Sequence, residues 1–139
     1  MEDIMARKLS LVFAAGALGG LVNSLAVWAF GLLGLTTALG VAIAPALTPA
    51  WLYPRLVWGG MWGVLFLIPL HQPWWRRGLL FSLGPTLVQL LVVFPLKAGK
   101  GMAGVELGAL TPLFVLFFNA VWGLAAAWWL RQCDPEGKG

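Results

Sequence analysis

The stretch that decides the fold is LSLVFAAGALGGLVNSLAVWAFG, which runs from Leu9 to Gly31. It contains no charged residue, and its only polar side chains are two serines and an asparagine. As an α-helix, about 20 such residues cross the ~30 Å hydrocarbon core of a bilayer. Arg7 and Lys8 precede the stretch, as they would in a signal peptide, but the apolar run is longer than a typical signal core. We therefore predict a retained first transmembrane helix.

Three further apolar runs are long enough to span a membrane, and none has the strict alternation of a barrel strand. Hydrophobic residues make up 60% of the 139-residue chain and charged residues 10%, with a mean hydropathy of +0.88. A soluble domain has about 25% charged residues, so this chain has too few to cover a water-facing surface. The composition predicts one all-α integral membrane domain over residues 1–139, a four-transmembrane-helix bundle with a flexible cytoplasmic tail at 132–139. The later runs are Trp51 to Leu70, Gly78 to Leu96 and Pro112 to Leu130.

Two connecting segments are unusually apolar for loops in water. They run from Leu35 to Ala50 and from Ala98 to Thr111, and both are rich in glycine, alanine and threonine. Apolar segments of about 10–14 residues are typically re-entrant or interfacial, because they are too short to span. We predict re-entrant or interfacial packing for both segments, and the alternative is a plain loop at the headgroup level.

Basic residues are distributed unequally between the two predicted sides of the membrane. Four spans place both termini and the middle loop on one side, with six basic residues against two on the other. By the positive-inside rule, this imbalance predicts that the N- and C-termini are cytoplasmic. The six are Arg7, Lys8, Arg76, Arg77, Arg131 and Lys138, and the two are Lys97 and Lys100, with Glu106 opposing them.

Short motifs in the first half of the chain recur in the same order in the second half, which indicates an internal repeat. The matches follow each other at nearly constant spacing, which argues against coincidence, although a restricted alphabet makes chance matches easy. We predict two parallel repeats, at about 9–70 and 78–131, each a helix, a re-entrant segment and a helix. The main matches are Ala46–Pro49 with Ala109–Pro112, Val57–Gly59 with Val121–Gly123, and Leu21–Asn23 with Leu87–Gln89.

The repeated Ala-Leu-Thr-Pro motif has a local structural explanation. Proline suits the first turn of a helix because it has no N–H to satisfy, and the preceding threonine can cap that turn. Thr48 and Thr111 are therefore predicted to start the second and fourth spans. The two N-termini would carry partial positive charge, so both threonines are secondary candidates for binding an anion or a carbonyl group.

Glycine-containing pairs predict close helix contacts. Small residues four positions apart let two helix backbones approach within a membrane. Such pairs occur at Gly16 and Gly20, at Gly59 and Gly63, and at Gly123 and Ala127.

Arg55 lies about one turn inside the second span, where a charge is costly and marks a candidate functional site. Snorkelling to the interface or pairing with Glu106 is the structural alternative. Under the repeat, Arg55 aligns with Asn119, and Asn23 aligns with Gln89. Interhelical hydrogen bonds are the commoner role of such residues, and the functional interpretation is a shared polar binding site formed by all four.

The sequence excludes several function classes. Basic residues form no stripe with interleaved aromatics, so the net charge of +4 does not indicate nucleic-acid binding. The chain has a single cysteine, Cys133, and a single histidine, His71, so it offers no intrachain disulfide, no metal cluster and no intrachain bis-histidine haem. No catalytic constellation or phosphate-binding motif is visible. We therefore predict no cofactor and no enzymatic activity.

Two functional hypotheses remain. In the first, the chain is a channel or transporter subunit of a cell inner membrane, and its four polar residues bind a small solute or anion. In the second, it is a non-catalytic accessory subunit whose polar residues only lock helices together. Both hypotheses place the chain in a lipid bilayer, as a homodimer or beside another membrane protein.

Overall fold

The structure is a bundle of long helices joined by short connections. It is a computed structural model that describes the backbone of residues 2–97 and 101–133. The described side chains in these ranges exclude those of Glu2, Lys97, Met102, Ala103 and Glu106. Within them the regular structure is entirely helical, which confirms the predicted all-α class. The α-helices are α1 (Glu2–Leu32), α2 (Leu35–Ala38), α3 (Pro49–Trp62), α4 (Trp74–Val88) and α5 (Thr111–Cys133).

Three shorter helical segments complete the described chain. A 3₁₀ segment, Gly63–Leu67, continues α3, and a π-helical segment, Gln89–Lys97, continues α4. A second 3₁₀ segment, Met102–Leu107, precedes α5. Pro85 lies inside α4 and Pro95 inside the π-helical segment, and each removes one backbone N–H from the helical hydrogen-bond pattern.

Three helices are long and apolar enough to cross a membrane, judged by length and composition: Asp3–Leu32, Trp74–Leu96 and Thr111–Cys133. They correspond to the first, third and fourth predicted spans. The chain therefore has the helices of a membrane protein. The last of them also includes Gln132 and Cys133, which the sequence prediction had placed in the flexible tail.

The second predicted span forms a composite helix. Its α-helical part ends at Trp62 after 14 residues, and the 3₁₀ segment adds five. Glycine at 59, 60 and 63 lowers the helix propensity in this region. The helix stops before Pro69 because the residue preceding a proline disfavours α-helical backbone, and Ile68 is extended at ψ 123°.

The helices pack in the order α3, α1, α5, α4, with α1 and α5 in the centre. Glycines form the predicted close contacts. A side chain on Gly16 would collide with the Gly59 carbonyl of α3, and one on Gly123 would collide with the Gly78 carbonyl of α4. The backbones touch at these crossings, so any added side chain there must separate the helices.

An aromatic core closes one half of the bundle, where α1, α4 and α5 meet the 3₁₀ end of α3. Phe66 and Phe81 make an edge-to-face pair with centroids 5.0 Å apart. The buried Trp122 indole donates a 3.0 Å hydrogen bond to the Gly16 carbonyl, which satisfies its one polar group.

Arg77 lies beside this core. The sequence prediction treated it only as a charge that sets topology. In the structure it is half-buried, and its Nη2 donates to the Phe66 carbonyl at 3.0 Å. Its guanidinium also lies 5.7 Å from the Phe66 ring centroid, so it contributes to packing as well as charge.

The two apolar connections pack against each other at the other end of the bundle. Ala42 donates a backbone hydrogen bond of 2.9 Å to the Leu107 carbonyl. Thr36 is fully buried, and its hydroxyl donates to the Ile43 carbonyl at 2.7 Å. Gly40 makes the turn between Thr36 and Ile43 with a φ of 78°, a conformation that favours glycine.

Candidate functional site

Arg55 lies in the second turn of α3, and its guanidinium is directed towards α1. Its Nε donates to the Ser24 hydroxyl at 2.8 Å, and its Nη2 donates to the Asn23 side-chain oxygen at 2.6 Å. The guanidinium carbon is 4.6 Å from the centre of the Trp51 ring, one turn earlier on α3. This half-buried side chain is therefore paired with helix α1. The sequence had suggested Glu106 as its structural partner. The Glu106 side chain lies outside the described residues.

Asn23 connects α3 to α5. Its oxygen accepts from Arg55, and its Nδ2 donates to the Phe118 backbone carbonyl at 2.6 Å. The residue is buried, so these bonds replace contacts with water.

A second polar group forms where α5 meets the end of α4. Asn119 Nδ2 donates to the Thr86 hydroxyl at 3.1 Å and to the Gln89 side-chain oxygen at 3.3 Å. Thr86 in turn donates to the Ser82 carbonyl at 2.7 Å. The hydroxyl and two amides therefore join α4 and its π-helical continuation to α5.

The structure brings the four primary candidates together around two adjacent cavities. Both cavities are lined by the same four side chains, Asn23, Arg55, Gln89 and Asn119. The first, which we call the loop-side cavity, has a volume of about 390 Å³ and is bounded by residues 42–45 and Leu107. The second, which we call the helix-side cavity, has a volume of about 200 Å³ and lies between α3 and α4.

The apolar walls of the two cavities differ. The loop-side cavity is lined by Val27, Phe94, Val115 and Phe118, together with Trp51. The helix-side cavity is bounded by Trp58 and Trp62 on α3 and by Pro85 and Val88 on α4. The four polar residues therefore lie where the two cavities meet. The exposed wall of the loop-side cavity is about as polar as it is apolar, whereas that of the helix-side cavity is mostly apolar.

The site combines one positive charge with neutral amides. Among the described lining residues, Arg55 carries the single full charge, and none is acidic. The hydrogen bonds described between side chains do not use Arg55 Nη1, Gln89 Nε2 or Asn119 Oδ1. These two donors and one acceptor can serve a polar or anionic ligand. No group of three or more His, Cys, Asp or Glu that could hold a metal ion occurs among the residues that the structure describes.

The two secondary threonine candidates line neither cavity. Thr48 caps α3 as predicted, accepting a 3.2 Å hydrogen bond from the Trp51 backbone N–H. Thr111 starts α5 as predicted, but its hydroxyl is buried without a hydrogen-bond partner in the described structure. The threonine cap predicted at this second helix start is therefore not formed. Lys100 lies outside the described residues.

Ser24 and Trp51 are site residues that sequence reasoning did not assign. Ser24 adjoins Asn23 in a span with very few polar residues, which was an available signal. Trp51 was only the first residue of the second predicted span, since its stacking on Arg55 depends on the α3 geometry. Comparison with protein-family models, curated proteins and solved structures finds no significant match for this chain.

Proposed function

We propose that this protein is a small membrane channel or transporter subunit that binds a small polar solute or anion. The observation that supports this most directly is the shared lining of the two cavities by Asn23, Arg55, Gln89 and Asn119. An intramembrane arginine facing a cavity is typical of substrate and ion pathways. If these four residues served only to lock the helices together, their pairing would be sufficient. Two cavities meeting at the same residues would not be required.

The proposal includes a fourth membrane crossing by α3 and its 3₁₀ continuation. Fourteen α-helical residues at about 1.5 Å each and five 3₁₀ residues at about 2.0 Å each extend about 31 Å. That length approximates the ~30 Å hydrocarbon core. Four crossings place both termini on the same side, and the positive-inside rule makes that side the cytoplasm.

Matching contacts in the two halves support the parallel repeat. Asn23 bonds to Arg55 in the first half, and their aligned counterparts Gln89 and Asn119 bond to each other in the second. Gly59 and its counterpart Gly123 also both lie at a helix crossing, Gly59 against Gly16 of α1 and Gly123 against Gly78 and Ser82 of α4. The repeat aligns Gly16 with Ser82, so the two crossings correspond to within one helical turn. A duplicated helix pair would build a site at the boundary between its copies.

In this proposal the two apolar connections are re-entrant segments above the site. Residues 42–45 and Leu107 line the loop-side cavity, and the Ala42 to Leu107 hydrogen bond joins the two segments. Backbone that is not helical is tolerated at membrane depth where protein buries it or where it lines a cavity. The segments would separate the site from one side of the membrane.

Flux into proteoliposomes tests the proposal. The purified protein would be reconstituted, and uptake of a panel of labelled small anions and neutral solutes measured against empty liposomes. Arg55→Met should lower the flux of the transported solute at least tenfold, since it removes the site's charge. Arg76→Met is the matched control, because Arg76 is an exposed cation that lines neither cavity and whose side chain bonds to Gln72 and lies over the Trp75 ring. Equal flux through the Arg55→Met and unaltered proteins would contradict the site.

The accessory-subunit hypothesis is supported by a different feature. An apolar groove of about 710 Å³ lies on the outer face of α1 and α3, bordered by Phe13, Gly60, Met61 and Val64. Such a groove suits a helix of another membrane protein or of a second copy. This alternative predicts flux no greater than that of empty liposomes. It also predicts an assembly that Met61→Trp disrupts while Arg55→Met does not, because Met61 is an exposed residue of the groove.

A further inference from the structure

We infer that the ligand of this site is a small organic monocarboxylate whose apolar substituent occupies the loop-side cavity. The inference rests on the proposed function, because it names the chemical class bound at the same four residues. It is carried by the hydrogen-bond geometry of Arg55 and by the apolar wall beside it.

The two hydrogen bonds of Arg55 occupy one edge of its guanidinium. Nε donates to Ser24, and one Nη2 hydrogen donates to Asn23. A guanidinium has five N–H groups, so the edge formed by Nη1 and the second Nη2 hydrogen remains available. That edge presents two parallel donors, which match the two oxygens of a carboxylate.

The guanidinium is also held in place before any ligand binds. Hydrogen bonds to two α1 side chains fix one edge of the guanidinium. The Trp51 ring lies against the face of the guanidinium, with the ring centre 4.6 Å from the guanidinium carbon. A side chain that is already ordered loses less conformational entropy on binding. A preorganised planar donor pair favours a planar carboxylate over a spherical halide, which cannot engage both donors with the same geometry.

The charge of the described lining favours a monoanion. Arg55 supplies one positive charge, and the neighbouring Asn23, Gln89 and Asn119 are neutral amides. A dianion would leave one negative charge without a charged partner among the described lining residues, and burying an unpaired charge is costly. Gln89 lines the same cavity, and its Nε2 is a donor that the described hydrogen bonds do not use.

The apolar wall favours an organic substituent. Val27, Phe94, Val115 and Phe118 line the loop-side cavity together with the four polar residues. A ligand that fills this space removes apolar surface from water, so each buried CH₂ should tighten binding about fourfold. Lengthening an aliphatic chain should therefore raise affinity until the cavity is full.

Calorimetric titration of the unaltered protein in lipid nanodiscs tests the inference at pH 7. Acetate, butyrate and hexanoate would be compared with butyramide, chloride and phosphate, and empty nanodiscs would correct for partition into lipid. Butyrate should bind at least tenfold more tightly than acetate and than the uncharged butyramide. Arg55→Lys should weaken butyrate binding at least tenfold, because an ammonium keeps the charge but not the paired donors.

Each outcome bears on a different claim. Chloride or phosphate binding as tightly as butyrate, or affinity that does not rise from acetate to butyrate, would overturn the carboxylate inference. An anion site and its flux could then still stand. No binding of any anion, together with flux equal to that of empty liposomes, would overturn the proposed function itself. The aliphatic series uses the unaltered protein, so it remains decisive even where Arg55 variants do not fold.

Discussion

Arg55 Nη2 donates a 2.6 Å hydrogen bond to Asn23 Oδ1, joining α3 to α1 across 32 positions of sequence. The same Asn23 side chain donates to the Phe118 carbonyl of α5. The Asn23 amide therefore accepts one hydrogen bond from the Arg55 guanidinium and also holds α5 against α1. The pair supports the candidate site and also holds three helices together, so its loss should change both binding and stability.

A double-mutant cycle on this pair should reveal coupling. Asn23→Leu should lower the free energy of unfolding by about 1–3 kcal/mol, because it leaves the arginine without one of its partners. The same change in an Arg55→Met background should cost at least 0.5 kcal/mol less, which is about the smallest coupling expected of residues in contact. Unfolding titrations in mixed detergent micelles would measure all four proteins. Strictly additive effects would show that the bond contributes nothing to stability.

The glycine crossing between α4 and α5 should tolerate no side chain. Gly123→Ala places a methyl group against the Gly78 carbonyl, so we expect a loss of about 1–3 kcal/mol from overpacking. Gly84→Ala is the control, because its nearest neighbours are the ends of the Leu65 and Trp62 side chains at 3.0 and 3.3 Å. It should change stability by less than about 1 kcal/mol, since alanine also favours the helix. Thermal unfolding of the two variants would test this, and a larger loss for Gly84→Ala would contradict the packing.

The two tryptophans of the repeated Val-Trp-Gly motif should respond differently to loss of the indole nitrogen. Trp122 is 3% exposed and donates to the Gly16 carbonyl, whereas Trp58 is 53% exposed. Trp122→Phe should cost about 1 kcal/mol in unfolding free energy. Trp58→Phe should stay within about 0.5 kcal/mol, as surface changes usually do. Unfolding titrations would compare them, and equal effects would indicate that the indole bond is not formed.

The two threonines of the repeated Ala-Leu-Thr-Pro motif should also differ. Thr48→Val removes a helix cap and should lower stability by about 1 kcal/mol. Thr111→Val replaces a buried hydroxyl that has no partner in the described structure, so stability should be unchanged or rise by up to about 1 kcal/mol. Thermal unfolding of both valine variants would test this. Destabilisation by Thr111→Val would show that its hydroxyl has a partner after all.

Cysteine labelling distinguishes three membrane crossings from four. Cys133 is exposed at the end of α5 and is the single cysteine of the chain. We expect a membrane-impermeant maleimide to label it only from the cytoplasmic side of oriented membrane vesicles. Asp3→Cys in a Cys133→Ser background should be labelled from the same side if α3 crosses the membrane. Labelling of the two positions from opposite sides would contradict the fourth crossing.

The local features of this fold were predictable from short stretches of sequence. The three long apolar helices and the start of α3 at Thr48-Pro49 follow from hydropathy and from proline and threonine chemistry. The glycine crossings also followed, because small residues at helical spacing indicate close contact whichever helix is the partner. Asn23, Arg55, Gln89 and Asn119 were identified because polar residues are rare within apolar spans.

The partners of those residues could not be read from the sequence. Arg55 could snorkel, pair with Glu106 or bond across the bundle, and helical periodicity does not distinguish these arrangements. The sequence also gave no reason for Thr111 to lack the cap that Thr48 forms, or for Trp122 to be buried while Trp58 is exposed. These differences arise because α1 and α5 are central and α3 and α4 are peripheral.

The sequence by itself therefore determined that this chain is helical and apolar enough for a membrane, and which few polar residues are costly there. Hydrophobicity, capping and helix propensity act over one or two helical turns, so a linear pattern records them. Only the tertiary structure decided that Arg55 bonds to Asn23 and Ser24 and that four polar side chains line two adjoining cavities. Those contacts depend on how far each helix is rotated and where the glycines let backbones touch, which no single segment encodes.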